Sequence, residues 1–375
     1  MKKKILGFLI FTLFLMLQLV FISNNTYAYF DLEGMYNALD NYQQIAADGG
    51  WPTIPDGSNL KLGDYSERVL ILRERLEITG ELDDCNLIEE LKMFDEAIDK
   101  AVRRFQKSHG LLVDGIVGRN TLRELNISVE NRIKEIQYNI SEMEKYHELS
   151  GMKYIIVNIP DFHMNLVDNE EIIKQMKVIV GRQGHKTPVF NDEIKYLVFN
   201  PSWFIPFNTS IRDFIPSIRQ DPNYFSSRDI RVFRISDGRE VNTQSINWSL
   251  INRQNFVYRL EQAPGPKNPM GQVKFIFPNI YHVYLHGTPD SHLFNNYIRT
   301  YSLGCVRLEE PIELAKILLK DYSIYTDTEI DEIIEKGITK TVYLEEPLAI
   351  YIVYWTVWVD DKGEVNFRRD IYNRF

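Results

Sequence analysis

The hydrophobic period of this chain changes once, near Lys153, and the change divides it into a helical part and a strand part. Before it, apolar residues recur three or four apart: Leu32, Met35, Tyr36 and Leu39; Val69, Leu72 and Leu76; Ile98, Val102 and Phe105; Ile133, Ile136, Ile140 and Met143. That spacing lines one face of a helix. After it, Tyr154 to Ile159, Phe162 to Val167, Met176 to Val180 and Tyr196 to Phe199 are short β-rich runs, cut by turns such as Gly181-Arg182-Gln183-Gly184. The expectation is a multi-domain α+β chain whose 375 residues suffice for two or three compact units.

Punctuation sets the boundaries. Gly49-Gly50-Trp51-Pro52 and Pro55-Asp56-Gly57 close an N-terminal helical segment, 29–57. A small helical module follows over 58–127, then a charged connecting helix over 128–150 whose apolar face packs along the next domain. Residues 151–375 form a mostly β domain, interrupted at about 206–262 by an irregular, helical insertion. Leu348 to Val359, Asp360-Asp361-Lys362-Gly363 and Val365 to Phe367 read as a closing β-hairpin whose Trp355 and Trp358 belong to the core.

The chain starts with Lys2-Lys3-Lys4, an apolar run from Ile5 to Ile22, and a polar stretch ending at Ala28. That is the pattern of an export signal over 1–28. The run is near the lower length limit for crossing a bilayer, so an uncleaved anchor stays open as the one membrane contact. The net charge is −9, and about −12 without the three early lysines, which argues against nucleic acid or an anionic membrane surface as the main partner. Of two cysteines, Cys85 lies in the polar Asp83-Asp84-Cys85-Asn86, far along the chain from Cys305. A free thiol at Cys305 in an exported protein is better explained by use than by packing.

Cys305 stands nineteen residues after His286, within Tyr284-Leu285-His286-Gly287-Thr288 and Ser302-Leu303-Gly304-Cys305-Val306-Arg307. A thiol is a nucleophile as thiolate, and a neighbouring imidazole is the usual way to generate one. The small Gly304 lets a carbonyl approach the sulfur and the backbone N–H groups that would hold an oxyanion. Strand alternation would place His282, Tyr284 and His286 on one face. His282, His286 and Cys305 lack a fourth ligand and any standard metal spacing, so no metal is expected, and no other cofactor is implied.

These flanks resemble the catalytic signature of the L,D-transpeptidases of the YkuD type, in His286, Gly287, Ser302, Gly304, Cys305 and Arg307. Gln262-Ala263-Pro264-Gly265-Pro266-Lys267-Asn268-Pro269-Met270-Gly271 with Lys274-Phe275 is similar to the larger, YcbB-like multi-domain branch. The chain departs at Leu303, where the family commonly carries a second histidine. Phe105 to Leu111, Asp114 to Gly118 and Thr121-Leu122 resemble the three-helix peptidoglycan-binding module, which binds the wall or serves as a spacer.

The resemblance implies a mostly β YkuD-type catalytic domain with the 206–262 insertion as a capping subdomain. It implies an exported enzyme that forms 3→3 cross-links from peptidoglycan stem peptides and is acylated by carbapenems. Cys305 would attack the stem tetrapeptide, His286 would act as base, and the Gly287 carbonyl would orient the imidazole. Gly304 and Cys305 would supply oxyanion donors. Ser302, Tyr284 and Arg307 are the candidates for holding substrate, Arg307 alternatively pairing with Glu309 or Glu310. An L,D-carboxypeptidase, or an inactive wall-binding relative marked by Leu303, remain the alternatives.

Overall fold

The computed structural model describes residues 31–83, 91–149, 152–320 and 325–374. The 1–28 export segment and Cys85 lie outside the described residues. Helix α1 (Leu32–Ala47) starts where the Asp31 side chain accepts the Gly34 N–H at 2.8 Å, a side-chain cap for a donor the helix cannot satisfy itself. The small module is α2 (Glu67–Ile78), α3 (Glu96–Ser108) and α4 (Arg119–Leu125), closed over Val69, Leu72, Leu76, Ile98, Val102 and Phe105. Its 110–118 turn is built around Gln106. The Gln106 side-chain oxygen accepts the Asp114 and Gly115 N–H groups at 3.0 and 2.9 Å, and its amide donates to Ile116 O at 3.0 Å.

Helix α5 (Val129–Met143) does more than connect. Together with α1 it buries Met35, Tyr42, Ile136, Ile140 and Met143 in one core with Trp355, Trp358 and Phe367 of the C-terminal region. The two helices outside the three-helix module therefore belong to the outer face of the β domain.

That domain contains β1 (Lys153–Asn158), β2 (His163–Asp168), β3 (Glu171–Gly181) and β4 (Phe190–Phe199). Strands β5 (Trp203–Ile205), β6 (Ile230–Arg234), β7 (Glu240–Val241) and β8 (Tyr258–Gln262) follow. Next come β9 (Val273–Ile276), β10 (Leu285–His286), β11 (Thr300–Ser302) and β12 (Val306–Leu308). Helices α6 (Pro311–Lys320) and α7 (Asp327–Lys336) precede β13 (Lys340–Val353), β14 (Val357–Val359) and β15 (Val365–Phe367). Nine strands form one sheet in the order β11-β3-β12-β10-β9-β4-β13-β1-β2, and β2 also pairs with β3, so the sheet closes on itself. Its interior holds Ile155, Val157, Leu166, Val178, Phe275 and Leu285, plugged by Leu314 and Leu318 of α6. A helical region ahead of a mostly β domain is the fold class read from the period change.

Two expectations change. The insertion is no mere helical stretch: β5-β8-β6-β7 make a separate four-stranded sheet over Phe214, Phe225 and Trp248. Strands of two to five residues are too short to show a period-2 signal. Leu348 to Val353 is the end of β13 in the main sheet, pairing with both β4 and β1, so the hairpin is only β14–β15.

Arg368 ties the module to the β domain. Its Nη1 donates to Ser108 O at 2.9 Å, its side chain packs against Gly110, and its Nε meets Asp161 Oδ1 at 2.8 Å. Burial raises the Asp161 carboxyl, but Arg368 and His163 outweigh it and hold the group at about 2, below its ordinary 3.8. A depressed folded pKa contributes stability above the unfolded value that is lost as pH falls through the folded one. Asp161→Asn is expected to cost about 2 kcal/mol at pH 7 in denaturant unfolding, the difference from the parent shrinking between about pH 4 and 2. A difference independent of pH would contradict this linkage.

Candidate active site

Three short strands assemble the site. β10 lies between β9, antiparallel, and β12, parallel, with Leu285 opposite Phe275 and Val306, and His286 opposite Lys274 and Arg307. Leu285, Phe275 and Val306 point into the core. Alternation then sends Lys274, Tyr284, His286, Cys305 and Arg307 to the other face of the sheet. The Val306 N–H donates to Tyr284 O at 3.0 Å, which sets Cys305 beside Tyr284.

His286 is buried, and its Nδ1–H donates to the Gly287 carbonyl at 2.6 Å. Burial and the Arg307 charge, with Lys274 behind them, push its pKa down to about 3 against the carbonyls of Gly287 and Met270. The imidazole is therefore neutral at physiological pH, with the proton on Nδ1 and the lone pair on Nε2. Cys305 is partly exposed, and its thiol donates to His282 O at 3.8 Å. Burial pushes the thiol up, while the Tyr284 N–H and the charges of Lys274 and Arg307 pull the other way.

The turn that carries Cys305 is braced on both sides. Ser302 Oγ donates to Cys305 O at 2.5 Å and accepts the Gly304 N–H at 3.0 Å. That bond takes up the Gly304 N–H expected to hold an oxyanion, and leaves Ser302 a role in shaping the turn rather than facing a substrate. Gly304 has φ +119, a backbone conformation that other residues rarely adopt. Its carbonyl accepts from Thr187 Oγ1 at 2.8 Å. Tyr372 OH in turn accepts the Thr187 N–H at 3.1 Å and donates to Gly181 O at 2.6 Å.

Arg307 pairs with Asp290 at 3.1 Å and reaches Thr288 Oγ1 at 3.4 Å. It does not pair with Glu309 or Glu310, because these turn to β3, where they meet Lys177 and Lys174. Arg307 instead holds the loop after β10. His282 is not a strand residue: it sits in a turn with φ +54, its side chain exposed, and only its carbonyl faces the sulfur. His292 and Leu303 are exposed. Among the described residues no group of three or more His, Cys, Asp or Glu could hold a metal ion.

Sequence reasoning missed Thr187, Asp290 and Tyr372, which carry no motif and reach the site only through the fold, and it gave Lys274 of the Lys274-Phe275 pair no role. Asn268 was visible inside the Gln262–Gly271 stretch without a role. It is buried, donates to Pro201 O at 2.9 Å and accepts the Met270 N–H at 2.8 Å, and so shapes the turn that ends at Gly271. Gly271 has φ +64, and a Cβ there would fall 2.5 Å from the Gly287 carbonyl carbon. A cleft of about 650 Å³ adjoins the same backbone, lined by Gly271, Gly287, Thr288, Pro264, Glu309 and Ile312 among others.

Residues 152–334 match the YkuD family, described as the L,D-transpeptidase catalytic domain, and residues 65–125 match the "Putative peptidoglycan binding domain". The chain thus carries a peptidoglycan-binding domain ahead of a YkuD-type L,D-transpeptidase catalytic domain. This bears out the resemblance drawn from the His286 and Cys305 motifs. A Haemophilus influenzae protein described as a "Putative L,D-transpeptidase" is 33% identical over 218 residues, 58% of this chain and 44% of that protein. The N-acetylmuramoyl-L-alanine amidase CwlM of Mycobacterium tuberculosis is 37% identical over 109 residues, 28% of this chain and 25% of that one. The chain therefore spans less than half the length of these curated relatives.

Among solved structures, residues 123–326 of the L,D-transpeptidase from Xylanimonas cellulosilytica are 13% identical, covering 80% of this chain and 99% of that one, with a TM-score of 0.24. The L,D-transpeptidase from Mycobacterium smegmatis is 12% identical, covering 54% and 58%, with a TM-score of 0.23. Superpositions that loose add nothing to the assignment.

Gly271→Ala drives a methyl into the peptide that anchors the imidazole. It is expected to slow acylation of Cys305 by about a hundredfold, the cost of a displacement near 1 Å in a catalytic group. The check is stopped-flow acylation beside a thermal melt. Parent-like acylation by the folded variant would show that the anchor tolerates displacement.

Proposed function

We propose that the protein is an exported L,D-transpeptidase of the cell wall. It forms 3→3 cross-links by acyl transfer from a stem tetrapeptide through a thioester on Cys305. The observation that carries this reading is the register β9-β10-β12, with a neutral, backbone-anchored imidazole on the same sheet face as the one described cysteine.

In the first half-reaction the thiol proton passes to His286 Nε2 while sulfur attacks the carbonyl before the terminal D-alanine. The C–N bond breaks, the imidazolium proton goes to the leaving amine, and D-alanine departs. With the Gly304 N–H engaged by Ser302, the Cys305 N–H is the loop amide that holds the oxyanion. In the second half-reaction the side-chain amine of another stem attacks the thioester. Tyr284 lines the face beside the sulfur, where the donor stem would lie. Export through residues 1–28, retention on the wall by the peptidoglycan-binding domain and acylation by carbapenems belong to the same reading.

The test is intact-protein mass spectrometry with a disaccharide-tetrapeptide and, separately, a carbapenem. A cross-linked dimer and a drug adduct are expected, both absent in Cys305→Ala. His286→Ala should acylate about 10²- to 10⁴-fold more slowly, the usual worth of a general base. Tripeptide without dimer would make the enzyme an L,D-carboxypeptidase. No adduct and no product would mean a wall-binding relative without activity, with Leu303 as the first residue to revert to histidine.

A further inference from the structure

Lys274 is the charged residue of the site that the reaction above leaves without a part. It stands directly opposite His286 on β9, half-buried, with Nζ 3.8 Å from the centroid of the Tyr284 ring. Among the described residues no carboxylate lies within ion-pair distance of it, whereas the neighbouring Arg307 is matched by Asp290. The groups facing this space are Tyr284 just before β10, His286 of β10, Cys305 just before β12, Arg307 of β12, and Tyr196 of β4. None is an acid. His282 and His185 approach the turn by their carbonyls, with exposed side chains.

A half-buried ammonium without a counter-charge is costly unless an anion forms beside it. We propose that Lys274 is a positioning residue of the reaction, its ammonium stabilising the Cys305 thiolate that forms when the thiol proton moves to His286. Burial lowers the Lys274 ammonium from the usual lysine range, and the charge of Cys305 opposes it. Lys274 and Arg307 likewise draw the thiol down against burial. The neutral imidazole supplies no resting positive charge, so the unpaired lysine supplies it. No bond to Lys274 forms or breaks, and its protons stay in place.

The inference rests on Cys305 being the nucleophile, and the assay separates the two. The rate of alkylation of Cys305 by iodoacetamide is followed from pH 5 to 10 in the purified protein, with Cys305→Ala giving the background. Iodoacetamide is neutral and has no carboxylate, so a role for Lys274 in reading substrate charge would not register. Lys274→Met is expected to move the midpoint up by about one pH unit and to slow alkylation at pH 7 about tenfold, while Lys274→Arg stays within about threefold of the parent. If the methionine variant does not fold, Lys274→Gln is read in its place. A neutral variant with the parent's profile would overturn the inference while leaving Cys305 as nucleophile. A parent protein in which Cys305 resists alkylation throughout would overturn the nucleophile itself.

Discussion

The bond from His286 Nδ1–H to the Gly287 carbonyl is the contact on which the site's chemistry depends. It joins a residue to the next peptide along the chain, so its geometry is only as good as the placement of that peptide. Gly287 donates its own N–H to Val273 O at 2.9 Å and packs against Gly271, which leaves no room for a side chain at Gly271 and only a tight fit for one at Gly287. Inside the sheet the same register buries Leu285 and Val306, so core packing and catalytic geometry are set by one set of strand pairs. An imidazole buried in this way carries no charge at rest. On the proposed mechanism, loss of the thiol proton to this imidazole leaves a thiolate, which the cations beside the sulfur stabilise.

Support for the nucleophile turn comes from the far end of the chain. Tyr372, close to the C-terminus, is fully buried and reaches Gly304 through Thr187, while its N–H is held by Tyr354 OH at 2.8 Å. The same C-terminal region packs Phe367 between the His109 ring of the helical module and the core shared with α1 and α5. The module is thus seated against the elements that close the β domain, on Arg368 and Asp161.

The motifs around Cys305 and His286 and the helical module were legible in the sequence because each sits in a short, contiguous pattern. Cys305 and His286 lie in two runs of about six residues, and the module's glycines at 110 and 115 take the positive φ values a tight turn demands. Gly118 does not: its backbone is extended and it caps α4. What the sequence hid depends on which distant strands become neighbours. Lys274 meets His286, Thr187 meets Gly304 and Asp290 meets Arg307 across ladders and loops that no local period encodes. The left-handed turn at His282 broke an alternation that looked strand-like. It is held by Asn279, whose side chain accepts the Tyr281 and Val283 N–H groups at 3.0 and 3.2 Å.

The central claim is that His286 is a neutral, Nδ1-protonated base at rest. Nitrogen-15 NMR of the histidine-labelled protein tests it directly, the His286 signals being identified by their loss in His286→Gln. The account predicts the Nδ1–H tautomer from pH 5 to 8 without titration, since a pKa near 3 lies well below that window. An imidazolium titrating near pH 6.5, or a proton resident on Nε2, would contradict it.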